Sequence, residues 1–408
     1  MIVRLAWRSI WRNRRRTLIT IASLALGLAI AIFFIALSEG VHNQVVNEAV
    51  RMQAGHITVE HPAYQAAPAV DLFIGGVDRL RRRIDGIEAV EATKLLIRGQ
   101  GVANSSAGAV GVAVMGVEPS VEAGTSPLAR HMVTGSYLED GDDRKTILGE
   151  HLADQLKLTQ GSKLVLTTNN ARGELVEELC RVKGIFRIGS DEIDGYLVQI
   201  PLEFAQRVFG LQPDEATQLG VVLKRPAELE ATIGAIKAIE PGDYAAVLPW
   251  QAVLPEVASY IRLRRTSTWV FQSLLFIIIL FTILNTLLMS VVEREREFAV
   301  LLALGTRIVQ LRQQLFVESV FIGILGCVAG MLLGGAAALS LQVHGLDLSG
   351  FMPEGVTVSG FSVSTTIHAL LTPPILLWTG GIAMAAMLVL SLVPMRRIGR
   401  LRMTESLR

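Results

Sequence analysis

The sequence predicts an α-helical membrane protein with four transmembrane helices and a large mixed α/β periplasmic domain inserted between helices 1 and 2. Three observations carry that prediction. Of the 408 residues, 51% are hydrophobic and only 18% charged, and the mean hydropathy is +0.45, away from the average soluble domain. Four runs without Asp, Glu, Lys or Arg are long enough for a hydrocarbon core, which takes roughly 20 helical residues. One long polar segment, 39–266, separates the first run from the second.

The first span is 17–38 and the second 267–292. The third charge-free run is 319–346, and the third span is set at 313–342, with Glu318 at its cytoplasmic entry. A carboxylate costs less there than at mid-bilayer and can pair with a nearby arginine. Pro373 and Pro374 suit a helix start, so the fourth span is 373–395. Arg4, Arg8, Arg12, Arg14, Arg15 and Arg16 precede the first span, and Arg396, Arg397, Arg400, Arg402 and Arg408 follow the last, whereas the short external loop 343–372 has neither Lys nor Arg. The positive-inside rule therefore puts the basic N-terminus 1–16, the link 293–312 and the basic tail 396–408 in the cytoplasm. Segment 39–266 lies outside, which in a bacterium means a multi-pass inner-membrane protein with a periplasmic domain. Arg262, Arg264 and Arg265 oppose the rule locally, but long translocated domains are largely exempt from it. A cleaved signal peptide is the rival reading of the N-terminus. The apolar run of about 22 residues exceeds an h-region of roughly 7–15, so a retained anchor is preferred.

Several function classes drop out. A net charge of +1 gives no field for nucleic acid. Cys180 and Cys327 lack CxxC or Cys/His spacing, so neither a disulfide nor a structural zinc is expected. There is no GxxxxGK[ST] phosphate cradle, GxSxG elbow, HExxH helix or EF-hand loop, so any ATP chemistry belongs to another chain. The turn EDGDDRK (139–145) reads as a solvated loop rather than a cation site. His42, His56 and His61 cluster in sequence, but a strand places His56 and His61 on opposite faces, and no metal is expected.

Within 39–266, GHITVE alternates like a strand, VDRLRRRIDGI reads as a short helix closed by Gly86, and AVEATKLLIRGQGVA as strand. ILGEHLADQLKL reads as a helix, GSKLVLTT and RVKGIFRI as strands, GYLVQIPLEFAQRVFGL as strand then helix, and ATIGAIKAIEPG as helix. An inserted lobe is expected over about 115–223. Val41, Val45, Val46 and Ala49, and later Val257, Tyr260, Ile261 and Leu263, stand at helical spacing, so both connectors extend membrane helices into a paired stalk.

Gly326, Gly330 and Gly334 recur every fourth residue on one face of the third span, where small side chains admit a neighbouring helix. The stretch VVEREREFAVLLALGTRIVQL, 291–311, sets Phe298, Leu301, Leu302 and Gly305 along one side of a helix. Glu293 with Arg296, and Arg294 with Glu297, are i,i+3 opposite-charge pairs. The residues alone leave open whether its apolar stripe meets lipid, neighbouring helices or a cytoplasmic partner.

That stretch resembles the cytoplasmic signature of FtsX-like, mechanotransmission-type ABC transporter permeases. The C-terminal VPMRRIGRLRMTESLR and the N-terminal LAWRSIWRNRRRTLITIASLALGLA are similar to the same superfamily's closing and entry segments. GHITV, TILGEHLADQLKLTQGSKLVL and VKGIFRIGSDEIDGYLVQIPLEFAQRVF resemble the periplasmic domain of its LolC/LolE lipoprotein-releasing type. The resemblance implies a non-enzymatic subunit paired with a second permease copy, identical or homologous. Each copy docks a cytoplasmic ATPase, which carries ATP and Mg, through Glu293, Arg294, Glu297, Phe298, Leu301, Leu302 and Gly305. It implies extraction of a lipoprotein from the outer leaflet along an apolar path, for which Phe33, Phe34, Phe271 and Phe276 are candidates. It also implies a periplasmic carrier or adaptor, although TTNNARGELVEELC is short for the family's carrier-capturing loop and lacks an obvious apolar hook. Export of a small amphiphile or peptide with an adaptor, and a signalling scaffold that activates an extracellular hydrolase, are the alternatives.

Overall fold

The computed structural model describes residues 2–12, 14–239, 245–293, 295–347, 357–358, 361–362 and 366–398. Two compact units emerge: a helical one from Met1–Asn43, Leu263–Leu348 and Thr366–Arg408, and an α/β one from Gln44–Arg262 and Ser349–Thr365.

Helices α1 (Ile2–Arg12) and α2 (Arg14–Met52) open the chain. There follow β1 (Ile57–Glu60), β2 (Ile74–Gly75), α3 (Val77–Asp85), β3 (Val90–Asn104), β4 (Ala109–Val117), α4 (Pro119–Thr125), β5 (Met132–Gly135), β6 (Lys145–Gly149) and α5 (Glu150–Gln155). Next come β7 (Lys163–Asn169), β8 (Leu175–Phe186), α6 (Asp191–Asp194), β9 (Leu197–Pro201), α7 (Leu202–Phe209), β10 (Glu215–Ala216), β11 (Gln218–Leu223), α8 (Leu229–Ala238), β12 (Ala246–Pro249) and α9 (Trp250–Val253). The chain closes with α10 (Pro255–Glu293), α11 (Glu295–Ala303), α12 (Ile308–His344) and α13 (Pro373–Ile398). Four of these helices are long and apolar enough to cross a membrane, over Thr17–Met52, Pro255–Phe281, Ile308–His344 and Pro373–Val393.

Ten strands form one sheet in the order β12-β1-β11-β3-β4-β9-β6-β8-β5, with β7 pairing both β3 and β8. The long strand β3 joins its halves. Residues from Val90 to Leu96 pair with β11, those from Leu96 to Asn104 with β4, and the last four also with β7. The segment expected as an inserted lobe, about 115–223, contributes strands to the same sheet as β1, β3 and β12. The physical reason lies in β3, whose successive residues face opposite sides. Leu95 and Ile97 enter one buried cluster with Val59, Val114, Val198 and Phe209, while Leu96 enters a second with Met115, Phe186 and Leu128. Ala49 and Met52 at the end of α2, and Val257 at the start of α10, belong to that second cluster, with Ile261 against it. Pro255 opens α10 after a break at Leu254, as its missing N–H allows at a first helical position. Ile147, Leu148 and Gly149, read from sequence as helix, form the end of β6, parallel to β8; the helix begins only at Glu150.

Candidate functional site at the connection between α10 and α12

Helix α10 ends at Glu293, whose side chain lies outside the description, as does all of Arg294. The nine residues of α11 then stop at a tight turn. Gly305 N–H donates to the Leu302 carbonyl and Thr306 N–H to the Leu301 carbonyl, both at 3.0 Å. This pair of bonds satisfies the last carbonyls of a helix when the residue after its cap is left-handed, and Gly305 has φ 93°. The chain re-enters a helix at once, where Arg307 N–H donates to Gln310 Oε1 at 3.2 Å.

The apolar stripe expected to meet a partner is largely covered within the helical unit. Phe298 is 3% exposed and Leu302 9%, packed with Leu311 and Leu315 of α12 and Met395 of α13; Leu301 sits half-buried against them. Periodicity marked the apolar side of α11 without saying which neighbour covers it. The open side carries Glu297, Val300, Leu304 and Ile308, with Leu304 77% exposed. These apolar residues recur at intervals of four, which sequence reasoning missed because they continue through the turn. Glu297 pairs with Arg12 of α1.

Packing behind this segment is tight. A Cβ on Gly326 would stand 2.5 Å from Leu24 Cδ2, on Gly330 2.9 Å from the Ala25 carbonyl oxygen, and on Gly334 2.8 Å from Ala29 Cα. The glycine face of α12 thus lies directly on α2. By contrast, only 6% of the apolar window of α10 is buried, against 39% for α2 and for α12. Of the candidate path residues, Phe271 and Phe34 are exposed, and Phe33 is half-buried with its ring 5.8 Å from that of Phe34. Phe276 packs instead against Leu28, Ile32, Cys327 and Ala383.

In the α/β unit, Lys94 is 1% exposed and donates to the Arg51 carbonyl oxygen at 2.7 Å and to Glu122 Oε2 at 3.1 Å. Burial drives the Lys94 ammonium pKa down while the Glu122 carboxylate pulls it back. Arg51 makes a forked pair with Glu91, at 3.0 and 2.6 Å. The last turn of α2 is thereby fastened to β3. His56 is buried and accepts from Leu223 N–H at 3.2 Å through Nδ1, while His61 accepts locally from Ala63 N–H through its own Nδ1. Burial, helped by the Arg51 guanidinium and opposed by Glu91, takes the His56 imidazole down to about 4. Buried Cys180 in β8 has its thiol pushed up to about 12 by burial. In the acidic turn, Asp142 accepts from Lys145 and Lys183, each at 2.6 Å. Burial pushes its carboxyl up, but the two ammonium groups outweigh that and hold it low. The hairpin β7–β8 exposes Leu175 and Leu179, so it does present apolar side chains despite its short turn.

Comparison with known proteins adds a family. Residues 17–239 match the MacB-like periplasmic core domain, and residues 269–403 match the FtsX-like permease C-terminal domain. The lipoprotein-releasing system transmembrane protein LolC of Xylella fastidiosa is 23% identical over 332 residues, covering 79% of this chain and 76% of that one. The macrolide export ATP-binding/permease protein MacB of Marinobacter nauticus is 25% identical over 413 residues, covering 97% of this chain and 58% of that one. The periplasmic region of MacB from Actinobacillus actinomycetemcomitans, a solved structure, aligns with TM-score 0.37 at 8% identity, covering 52% of this chain and 97% of that one.

Proposed function

Because the chain belongs to the family of ABC transporter permeases with a MacB-like periplasmic core and an FtsX-like C-terminal domain, we propose that it is the membrane subunit of an ATP-driven mechanotransmission transporter in a bacterial inner membrane. Both termini face the cytoplasm, and the α/β domain, between the first and second spans, faces the periplasm. A cytoplasmic ATPase subunit supplies the nucleotide chemistry and holds ATP and Mg.

One observation carries the docking assignment. The short helix α11 is anchored by Phe298 and Leu302 while Val300, Leu304 and Ile308 stand open along its other side and through the Gly305 turn. Anchored apolar residues make the segment a stiff lever, and the open ridge is the surface through which a partner's motion enters. Arg294 and the side chain of Glu293, assigned to docking by the resemblance, lie outside the described residues. The bare apolar face of α10 is where a second permease copy and the substrate path belong, with Phe271 and Phe34 on the path side.

Lipoprotein extraction from the outer leaflet toward the periplasm is the substrate reading we favour. It rests on the LolC relative's name and on an α10 face that offers acyl chains apolar surface. Export of a small amphiphile handed over in the periplasm is the second reading, favoured by the MacB relative, whose name specifies macrolide export. The two are separated by reconstituting the chain with its ATPase in liposomes that carry an acylated lipoprotein. ATP-dependent release of that lipoprotein is the expected result. ATP turnover without release of any acylated protein overturns the favoured reading and leaves amphiphile export.

A further inference from the structure

Helix α1 stands outside everything assigned so far. Its eleven residues, IVRLAWRSIWR, contain no acidic side chain. Arg4, Arg8 and Arg12 follow one another at intervals of four and therefore form a single ridge. The opposite side is held down. Ile10 is 1% exposed in a cluster with Leu24, Ile322 and Met387, and the Trp7 ring lies 5.3 Å from that of Phe321 in α12. Thr17 Oγ1 donates to the Ile10 carbonyl oxygen at 2.7 Å, fixing the bend into α2. So α1 is a fixed shelf beside the start of the first apolar span.

That shelf has two kinds of open group. Trp7 and Trp11 are 42% and 40% exposed, with rings 6.0 Å apart. Arg4, Arg8, Arg14 and Arg15 are exposed, and among the described residues none of the four has a carboxylate within salt-bridge distance. An amphipathic helix with arginines on one side and tryptophans beside them, set at the end of a membrane span, is built for the headgroup layer: indole seats at the acyl boundary and guanidinium meets phosphate. A neutral headgroup layer leaves this unbalanced positive charge uncompensated, whereas an anionic one attracts each nearby arginine by a factor of roughly five.

We propose that α1 is a binding site for anionic phospholipid headgroups, formed by Arg4 and Arg8 with Trp7 and Trp11 as the membrane seat. Arg12, last on the same ridge, is held by Glu297 of α11, so the lipid-reading helix is tied to the segment assigned above to the ATPase. The lipid site itself does not depend on that assignment.

Tryptophan quenching by brominated lipid tests it on the full chain alone, in phosphatidylcholine vesicles carrying an equal mole fraction of either brominated phosphatidylglycerol or brominated phosphatidylcholine. The signal of Trp7 and Trp11 is isolated by difference from a W7F/W11F variant. The anionic lipid is expected to quench that signal several-fold more strongly than the zwitterionic one. The preference is lost in R4Q/R8Q, kept in R4K/R8K, and weakened by salt. Equal quenching by the two lipids, an undiminished preference in R4Q/R8Q, or no quenching by either overturns the proposal. All these outcomes are read without ATP or a partner, so they stand apart from the permease reading.

Discussion

In the α/β unit, a fully buried lysine, Lys94 of β3, joins the last turn of α2 to helix α4. In the helical unit close approach is made by residues with no side chain, Gly326, Gly330 and Gly334, against α2. The difference follows from the solvent each unit is built for. In water, apolar burial drives compaction, and a paired charge inside it fixes which helix turn meets which strand. In lipid there is little apolar drive between helices, so association rests on close approach, which glycine permits. The helical unit adds a contrast of its own, because α10, also long and apolar enough to span, is left bare.

The largest effect should come from the buried pair. Lys94→Ala leaves Glu122 buried without its cation and should cost about 3–5 kcal/mol. Hydrogen exchange at the β3 amides of the full chain is the readout. Replacing both partners, K94M/E122L, should recover much of that loss. A double variant as poor as the single one would break the view that the charges locate the joint rather than drive it.

His56 supplies a pH test of comparable size. Its folded pKa, about 4, lies below the ordinary 6.5, so the neutral ring is the folded form. Its contribution is full above 6.5 and is lost as the pH falls through that value toward 4, about 3 kcal/mol in total. Exchange protection in β1 and β11 should fall across that window and become flatter in His56→Asn. Protection that falls identically in both proteins would place the titration elsewhere.

Two predictions address the membrane side. Gly330→Leu drives a side chain into the α2 backbone and should cost about 1–3 kcal/mol in detergent unfolding. Gly381→Leu, where a Cβ meets nothing within 4 Å, should be near neutral. The smallest effect belongs to α10: Phe271→Ser on its exposed face should shift stability by no more than about 0.5 kcal/mol. Loss of transport in that variant with stability intact would sharpen the contrast, and marked unfolding would break it.

Much of this was legible in the chain itself. The charge-free runs marked the apolar helices, and the spacing of Gly326, Gly330 and Gly334 marked one face, because both signals are local and periodic. Gly305 marked a helix end, since few other residues accept its left-handed turn, and Gly86 marked the end of α3 although its own backbone is right-handed. What stayed hidden depends on which surfaces meet. Phe298 and Leu302 share a stripe that any partner might cover, and only the positions of Leu311, Leu315 and Met395 reveal that the unit covers it. Arg4, Arg8 and Arg12 counted toward orientation, but that count conceals that they form one ridge beside two tryptophans. Ile147 and Leu148 were drawn into the helix that follows them because a short apolar run fits either period. The tail from 399 and Arg294 lie outside the described residues.

The proposed ATPase contact is the open ridge on α11 and its turn, not the buried stripe. Stimulation of ATP hydrolysis by the cognate ATPase, measured with the full chain in nanodiscs, tests it most directly with V300E/L304E against wild type. Stimulation should fall at least ten-fold in V300E/L304E, about 1.4 kcal/mol of lost coupling, while the α/β unit keeps its exchange protection. Unchanged stimulation in that variant would contradict it.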